Sequence, residues 1–526
     1  MSFSKKWFSA LISLLVVTSI LLAGCSAGAA KSGSTETTYA VYAVNTEPLT
    51  NWDPAAEFSN GILLMNNMYE QLLRYDPIEE KITPLLATEY TTSDDGLTWT
   101  FKLRQGVKFH DGTDFNAEAV KFSIERTMRL GAGASYIWAP VESIDVVDDY
   151  TVTFKLSYAA PLDLIASTGY AAFIYSPSSV GSDDKWFDEG RECGTGPYTL
   201  KSFKWGDEVI LQKFDDYWGG WPEKNIGTVV LKKVSEPATR RQMVEKGEAT
   251  ITTELPYSDV DALKKDSNVV VEVDPSLQNL FGMFNTQKAP LDNPKVREAL
   301  SYAMPYQSVI DYAMGGYAAQ SYGVVPKGMW GYSQDVFQYT YDLDKAKQLL
   351  ADAGYADGGI KLLLTYMSGD EAEKNTAELY KAELAKIGVE LEIRSMPWDS
   401  QWELAKSSNA ADRQDIFVMY WWPDLPSPYS FLYSTFHSED EPMFNLSYYK
   451  NEKFDQLIDD ANITSANDRS KAESMFVEAQ NILMKDAATM AIYDKQVTWV
   501  TVKNFKGFKF NPVYPTVVFF YGTYFE

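Results

Sequence analysis

The chain has 526 residues, too many for one hydrophobic core, and 45% of them are apolar, as in an ordinary soluble globular protein. Its net charge of −25 repels phosphate backbones and argues against nucleic acid as a partner. With 2 His and 2 Cys, imidazole-built zinc and iron sites and a disulfide framework are excluded as organising features.

The first predicted element is a leader. Lys5 and Lys6 precede an apolar run from Leu11 to Ala23, which closes on Leu22-Ala23-Gly24-Cys25. The run is shorter than the roughly 20 apolar residues that span a bilayer. A charged start, an apolar middle and a small-residue end mark a secretory signal over 1–24. The small-small-Cys ending resembles the lipobox of bacterial lipoproteins, which implies acylation of Cys25 and attachment to the outer side of a bacterial membrane. Residues 25–38 then read as a flexible tether, because Ser26 to Thr38 (SAGAAKSGSTETT) contains no large apolar residue. Its reach is about 20 Å. Nothing after residue 25 reads as a membrane span.

The folded part is expected from Tyr39. Leu97, Trp99, Phe101 and Leu103 alternate with polar residues and predict a half-buried strand, and Val152, Phe154 and Leu156 predict another. Asn293-Pro294 supplies an N-cap and a first-turn proline for a helix with Val296, Ala299, Leu300 and Ala303 on one face. Asp342 to Ala353 places Leu343, Ala346, Leu349 and Leu350 on one side and stops at Gly354. A helix through Ala377–Ile387 ends at Gly388, and Val389, Leu391 and Ile393 follow as a strand. Helices alternating with strands predict α/β layers in two or three domains. Ile416 to Tyr420 predicts a strand, and prolines 423, 426 and 428 then disfavour further regular structure.

Catalytic strings are missing. No HExxH, GxSxG, Walker A or CxxC occurs, and Gly194-Thr195-Gly196 lacks the third glycine of a dinucleotide loop. Asp94-Asp95 and Asp148-Asp149 lie beside turn residues and read as solvated loops. No catalytic residue, cofactor or metal is therefore assigned. Cys193 reads as a small buried hydrophobe. Aromatics at 14% fit either a large core or a broad binding surface.

Five ordered blocks resemble the extracellular solute-binding proteins (family 5) of peptide- and nickel-type ABC transporters, the oligopeptide- and dipeptide-binding lipoproteins. They are LTWTFKLRQGVKFHDGTDFNAEAVKFSIERT from Leu97 to Thr127, Gly194-Thr195-Gly196-Pro197-Tyr198, Val296 to Ala303, Tyr449 to Ala461, and Lys506-Gly507-Phe508. The resemblance runs from about Tyr39 to Glu526. It implies an α/β, two-lobed periplasmic-binding-protein-like fold (class II) with an extra domain. Lobe I would comprise 39–70, 188–274 and 488–526, the extra domain 71–187, and lobe II 275–487. His110, inside the first block, reads as structural. Pro305 departs from the family pattern, in which Asp is usual, and is expected to end its helix early.

The resemblance also implies a function. A peptide ligand (oligopeptide or dipeptide) would sit between the lobes, which close on it by hinge motion and deliver it to membrane permease subunits. Asp424 falls on the Asp of the D-x-x-[DE]-P pattern that holds the ligand's α-amino group in peptide-binding relatives. Ser427 replaces the second acid. Phe58, Ser59 and Asn60 on one side, with Tyr420 and Trp422 on the other, would pair with the ligand backbone. Trp398, Trp421 and Trp422 offer stacking platforms, which keeps an oligosaccharide ligand on the same fold as an alternative. A surface-anchored hydrolase is the alternative from another class. A monomer is expected.

Overall fold

Two long antiparallel strands, Val269–Phe284 and Thr489–Val502, carry the architecture. The computed structural model describes residues 38–49, 51–76, 79 and 81–526; the leader, Cys25 and the tether up to residue 37 lie outside the described residues. The β-branched run Val269-Val270-Val271 suits a pleated surface. Its ladder runs from Val269↔Val502 to Pro275↔Gln496, breaks, and resumes at Asn279↔Asp494. Pro275 has no N–H to give, so an interruption there is expected.

The break divides an 11-stranded sheet into two halves. Beyond it on one side, Thr489–Val502 pairs with Ile251–Thr253, and the sheet continues through Tyr39–Val44, Thr228–Lys233, Glu208–Lys213 and Tyr198–Lys204. On the other, Val269–Phe284 pairs with Ile416–Trp421, followed by Ile360–Met367 and Val389–Met396. The last two strands are parallel, so they need a crossover, and the helix Glu371–Ala385 supplies it. Asp370 caps that helix by accepting the Glu373 N–H at 2.8 Å. The helix therefore begins at Glu371, ahead of Ala377, where the apolar pattern marked it.

A second sheet of 4 antiparallel strands lies beside the first half, in the order Ala87–Thr92, Thr98–Leu103, Thr151–Leu156, Val141–Asp148. Trp99, Phe101 and Leu103 are buried and alternate with half-exposed or exposed neighbours, as predicted. The helix Ala117–Leu130 packs on this sheet between an Asn116 N-cap and Gly131 at φ 61°. One buried cluster unites this sheet with the first half of the long sheet through Tyr42, Trp52, Trp99, Trp138 and Trp499. A second cluster, with Phe281, Tyr380, Phe431, Phe476 and Tyr493, fills the other half.

The most diagnostic blocks turn out to be joinery. A Cβ on Gly194 would lie 2.0 Å from the Met68 carbonyl oxygen, so only glycine fits. Thr195 donates to buried Glu70 at 2.9 Å. His110 Nδ1 lies 2.6 Å from Glu192, and its Nε2 lies 2.8 Å from the Gly196 carbonyl. Both partners are acceptors, so both ring nitrogens carry protons and the imidazole is a cation. Burial opposes that charge, but Glu192 outweighs it and raises the His110 pKa. Cys193 is buried. The helix Pro294–Tyr302 ends before Pro305, and the next helical turn opens at Tyr306. Among the described residues, no helix is long and apolar enough to cross a membrane.

Candidate functional site

The strand Ile416–Trp421 delivers the Trp-rich segment to the junction of the two cores. One edge of it is fully laddered to Val269–Phe284, from Ile416↔Phe284 to Trp421↔Asn279. Its parallel ladder to Ile360–Met367 is made at Ile416 and Phe417 alone. The edge of Tyr420 and Trp421 on that side is thus outside the ladder, an arrangement open to an added strand.

The chain then turns through Trp422 to Ser427 into the helix Pro428–Phe436. Pro428 occupies the first turn of this helix, with Ser427 as its N-cap accepting the Tyr429 N–H at 3.3 Å. The expectation that prolines would keep the segment irregular is corrected here. A proline in the first turn costs no hydrogen bond, because that N–H has no helical partner in any case.

Asp424 is 2% exposed. Its backbone N–H is held by Ser430 Oγ at 2.7 Å. Its Oδ2 accepts from the Tyr136 hydroxyl at 2.5 Å and from Ser434 at 3.4 Å. Tyr136 belongs to the segment after the helix Ala117–Leu130, so this contact ties the two cores together. Among the described residues no cation pairs with the carboxylate. Burial pushes it up to about 7, against the pull of its hydroxyl donors.

Trp422 Nε1 donates to the Tyr170 hydroxyl at 3.3 Å, which donates to the Ser59 carbonyl at 3.3 Å. The Phe58 ring meets Tyr170 at 5.6 Å and Phe444 at 5.5 Å. Trp421 packs on Phe444 at 5.4 Å. Phe58, Ser59, Trp421, Trp422 and Asp424 therefore converge on one junction. The loop that presents Phe58 and Ser59 is shaped by the buried Glu57 carboxylate, which accepts the N–H groups of Asn51, Ser59 and Gly61 at 3.1, 2.6 and 3.0 Å.

Three candidates sit elsewhere. Asn60 turns its side chain to Thr46 at 2.9 Å. Tyr420 donates or accepts a 2.7 Å hydrogen bond with Tyr493 and lies under Lys495, whose Nζ is 5.0 Å from the ring centre. Lys495 is paired with Glu254 at 2.8 Å, and Glu254 also accepts from Asn45 at 3.0 Å. Trp398 is 40% exposed and touches Trp402 at 5.4 Å and Phe417 at 6.0 Å. Trp402 in turn packs on Phe444 at the junction, at 5.3 Å.

Sequence reasoning missed Tyr136, Tyr170, Ser434 and Phe444. The first is 288 positions from Asp424, and no local pattern marks it. A cavity of about 480 Å³ opens beside these residues, with Tyr136 and Ser434 in its wall. Among the described residues no group of His, Cys, Asp and Glu is arranged to hold a metal.

A family profile described as bacterial extracellular solute-binding proteins, family 5 Middle, matches residues 81–442. The probable D,D-dipeptide-binding periplasmic protein DdpA of Escherichia coli K12 is 31% identical over 480 residues, spanning 88% of this chain and 89% of that one. The glutathione-binding protein GsiB of Salmonella typhimurium LT2 is 32% identical over 457 residues, spanning 85% and 87%. Among solved structures, DppA of Helicobacter pylori in complex with the peptide STSA superposes with a TM-score of 0.81 at 28% identity, covering 93% of this chain and 98% of that one.

Proposed function

Because the chain belongs to the family-5 bacterial extracellular solute-binding proteins, we propose that it captures short peptides between its two sheet halves and hands them to an ABC permease, with Asp424 receiving the ligand's α-amino group. The observation that carries this reading is the carboxylate itself. It is buried at the junction of two cores, bracketed by neutral hydroxyls, with no cation paired to it among the described residues. An arriving ammonium would complete it. The peptide class is supported by the names of the relatives, which specify D,D-dipeptides, glutathione and the peptide STSA.

The contacts between cores supply the closing surface. Tyr136 with Asp424, Tyr170 with Trp422, and Phe58 with Phe444 would all part when the halves separate about the break at Pro275–Asn279. Lobe I would comprise 39–70, 188–274 and 488–526, the extra domain 71–187, and lobe II 275–487. Acylated Cys25 would confine this monomeric binder near its permease, and the tether would let it turn.

The test is a calorimetric titration of leucyl-alanine and of its N-acetyl form. Removing one partner of a buried pair costs roughly 3–5 kcal/mol, so acetylation should weaken binding by about a hundredfold or more. Equal affinities would remove Asp424 from the ligand.

A further inference from the structure

Asp163 and Arg469 make a further contact between the two cores. Asp163 lies in the helical turn Leu162–Ile165, whose Leu162, Leu164 and Ile165 belong to the first core. Arg469 opens the helix Arg469–Lys485, whose Ala472, Phe476 and Ala479 belong to the second. Arg469 Nη2 lies 3.9 Å from Asp163 Oδ2. The other carboxylate oxygen accepts the Leu164 N–H at 2.9 Å, and the Tyr90 hydroxyl is hydrogen-bonded to the same carboxylate. Next to Arg469 in the chain, the Asn467 amide lies against Gly96, where a Cβ would come within 3.3 Å of its Nδ2.

The helix itself does not account for Arg469. This is its first residue, directly after the Asp468 N-cap that accepts the Lys471 N–H at 3.0 Å. A cation at a helix N-terminus opposes the macrodipole, so its placement has a reason outside the helix. The guanidinium is laid over the Trp330 ring, 5.4 Å from its centre. Trp330 packs against both cores, and its Nε1 donates to the Pro426 carbonyl at 2.9 Å, in the turn that carries Asp424. The stack fixes the planar guanidinium in front of Asp163, and the same ring ties it to the Asp424 turn. From this arrangement, and resting on the proposed capture of peptides between the halves, we infer that Asp163 and Arg469 form a latch. It holds the two halves closed, with or without a peptide, and slows the release of a bound one. A partly exposed ion pair shifts such an equilibrium by about two- to fivefold. Because the contact exists only in the closed arrangement, it acts on departure and leaves arrival alone.

The experiment compares the wild type with Arg469→Ala, Asp163→Asn and the double variant, and thermal melts verify that all of them fold. Stopped-flow tryptophan fluorescence with leucyl-alanine reads association and release. Each single variant should release the peptide about two- to fivefold faster, with association unchanged. The double variant should release it no faster than the faster single one, because one contact is lost only once. Small-angle X-ray scattering of the unliganded proteins should give all three variants a larger radius of gyration than the wild type. An unchanged release rate overturns the inference, and so do single effects that multiply in the double variant or an unchanged radius. The scattering arm needs no ligand and so separates the two readings. A wild type that binds no leucyl-alanine, yet is more compact than Arg469→Ala, sinks the peptide reading and keeps the latch. A wild type that binds leucyl-alanine and releases it as fast as Arg469→Ala sinks the latch and spares the peptide reading.

Discussion

Asp424→Asn should stabilise the unliganded protein while abolishing its grip on a free amine. The carboxylate is pushed from its usual 3.8 up to about 7 by burial, and its hydroxyl donors only partly offset that. In the unfolded chain it titrates near 3.9. A folded value above the unfolded one means that the fold binds this proton more tightly. The carboxyl therefore imposes no penalty below about pH 4, an increasing penalty between pH 4 and 7, and its full penalty above. A rise of that size corresponds to on the order of 4 kcal/mol. Asparagine keeps the shape and still accepts from Tyr136 and Ser434, but carries no charge. The unit Thr38–Glu526 unfolds with an entropy of roughly 1 kcal/mol/K. The ceiling on the gain in Tm at pH 8 is then about 4 °C, shrinking towards zero near pH 4.5. Thermal melts of both proteins across that pH range measure it. A variant less stable than wild type at pH 8 would refute the reasoning, because it would mean the charge is compensated within the unliganded fold. The same preparation should bind leucyl-alanine at least about a hundredfold more weakly, a trade of fold stability for function at one residue.

His110→Ala should cost about 3–5 kcal/mol in urea unfolding, because it leaves Glu192 buried without its cation. The two partners lose their contribution at opposite ends of the pH scale: that of His110 as pH rises through its raised pKa, that of Glu192 as pH falls through its lowered one. A wild-type stability that is flat from pH 3 to 9 would contradict this pairing. Arg126 meets Asp53 through two hydrogen bonds, at 2.8 and 2.6 Å, so Arg126→Lys should lose one of them and about 1.5–3 kcal/mol of stability; unchanged unfolding would show the fork to be dispensable. Trp398→Ala should leave peptide affinity within about threefold, since this ring is 40% exposed and packs on Trp402 and Phe417. A tenfold loss would return Trp398 to the site.

The fold was legible wherever its cause is local. Asn293 was readable as an N-cap because a capping side chain and its helix are adjacent, and it accepts the Lys295 N–H at 3.0 Å. The alternation of Trp99, Phe101 and Leu103 was readable because a strand's two faces differ. The site was less so. Asp424, Trp422, Phe58 and Ser59 were reached through a resemblance, yet what holds them comes from Tyr136 and Tyr170, which no spacing rule connects to them. Trp398 shows the converse error: a tryptophan has the right chemistry for stacking wherever it stands, and only packing says that this one is spent on Trp402.

The departure at Ser427 can now be weighed. The family pattern that Asp424 resembles, D-x-x-[DE]-P, has an acid three residues after its Asp, and Ser427 in that place casts doubt on the whole motif when read as a unit. The geometry separates the two positions. Asp424 looks to Tyr136 and Ser434, while Ser427 is the N-cap of the helix Pro428–Phe436, with its hydroxyl accepting the Tyr429 N–H. Serine and aspartate are about equally good N-caps, so exchanging one for the other alters the helix end very little. It leaves the carboxylate at Asp424 untouched. On the proposed role of Asp424, the exchange would remove one negative charge from the neighbourhood of the ligand's amine and leave Asp424 as the charge on which discrimination between free and acetylated peptides would depend. Ser427→Asp should therefore fold as well as the wild type and bind leucyl-alanine no more weakly. A loss of binding in that variant would place Ser427 in the ligand's path rather than at the helix end.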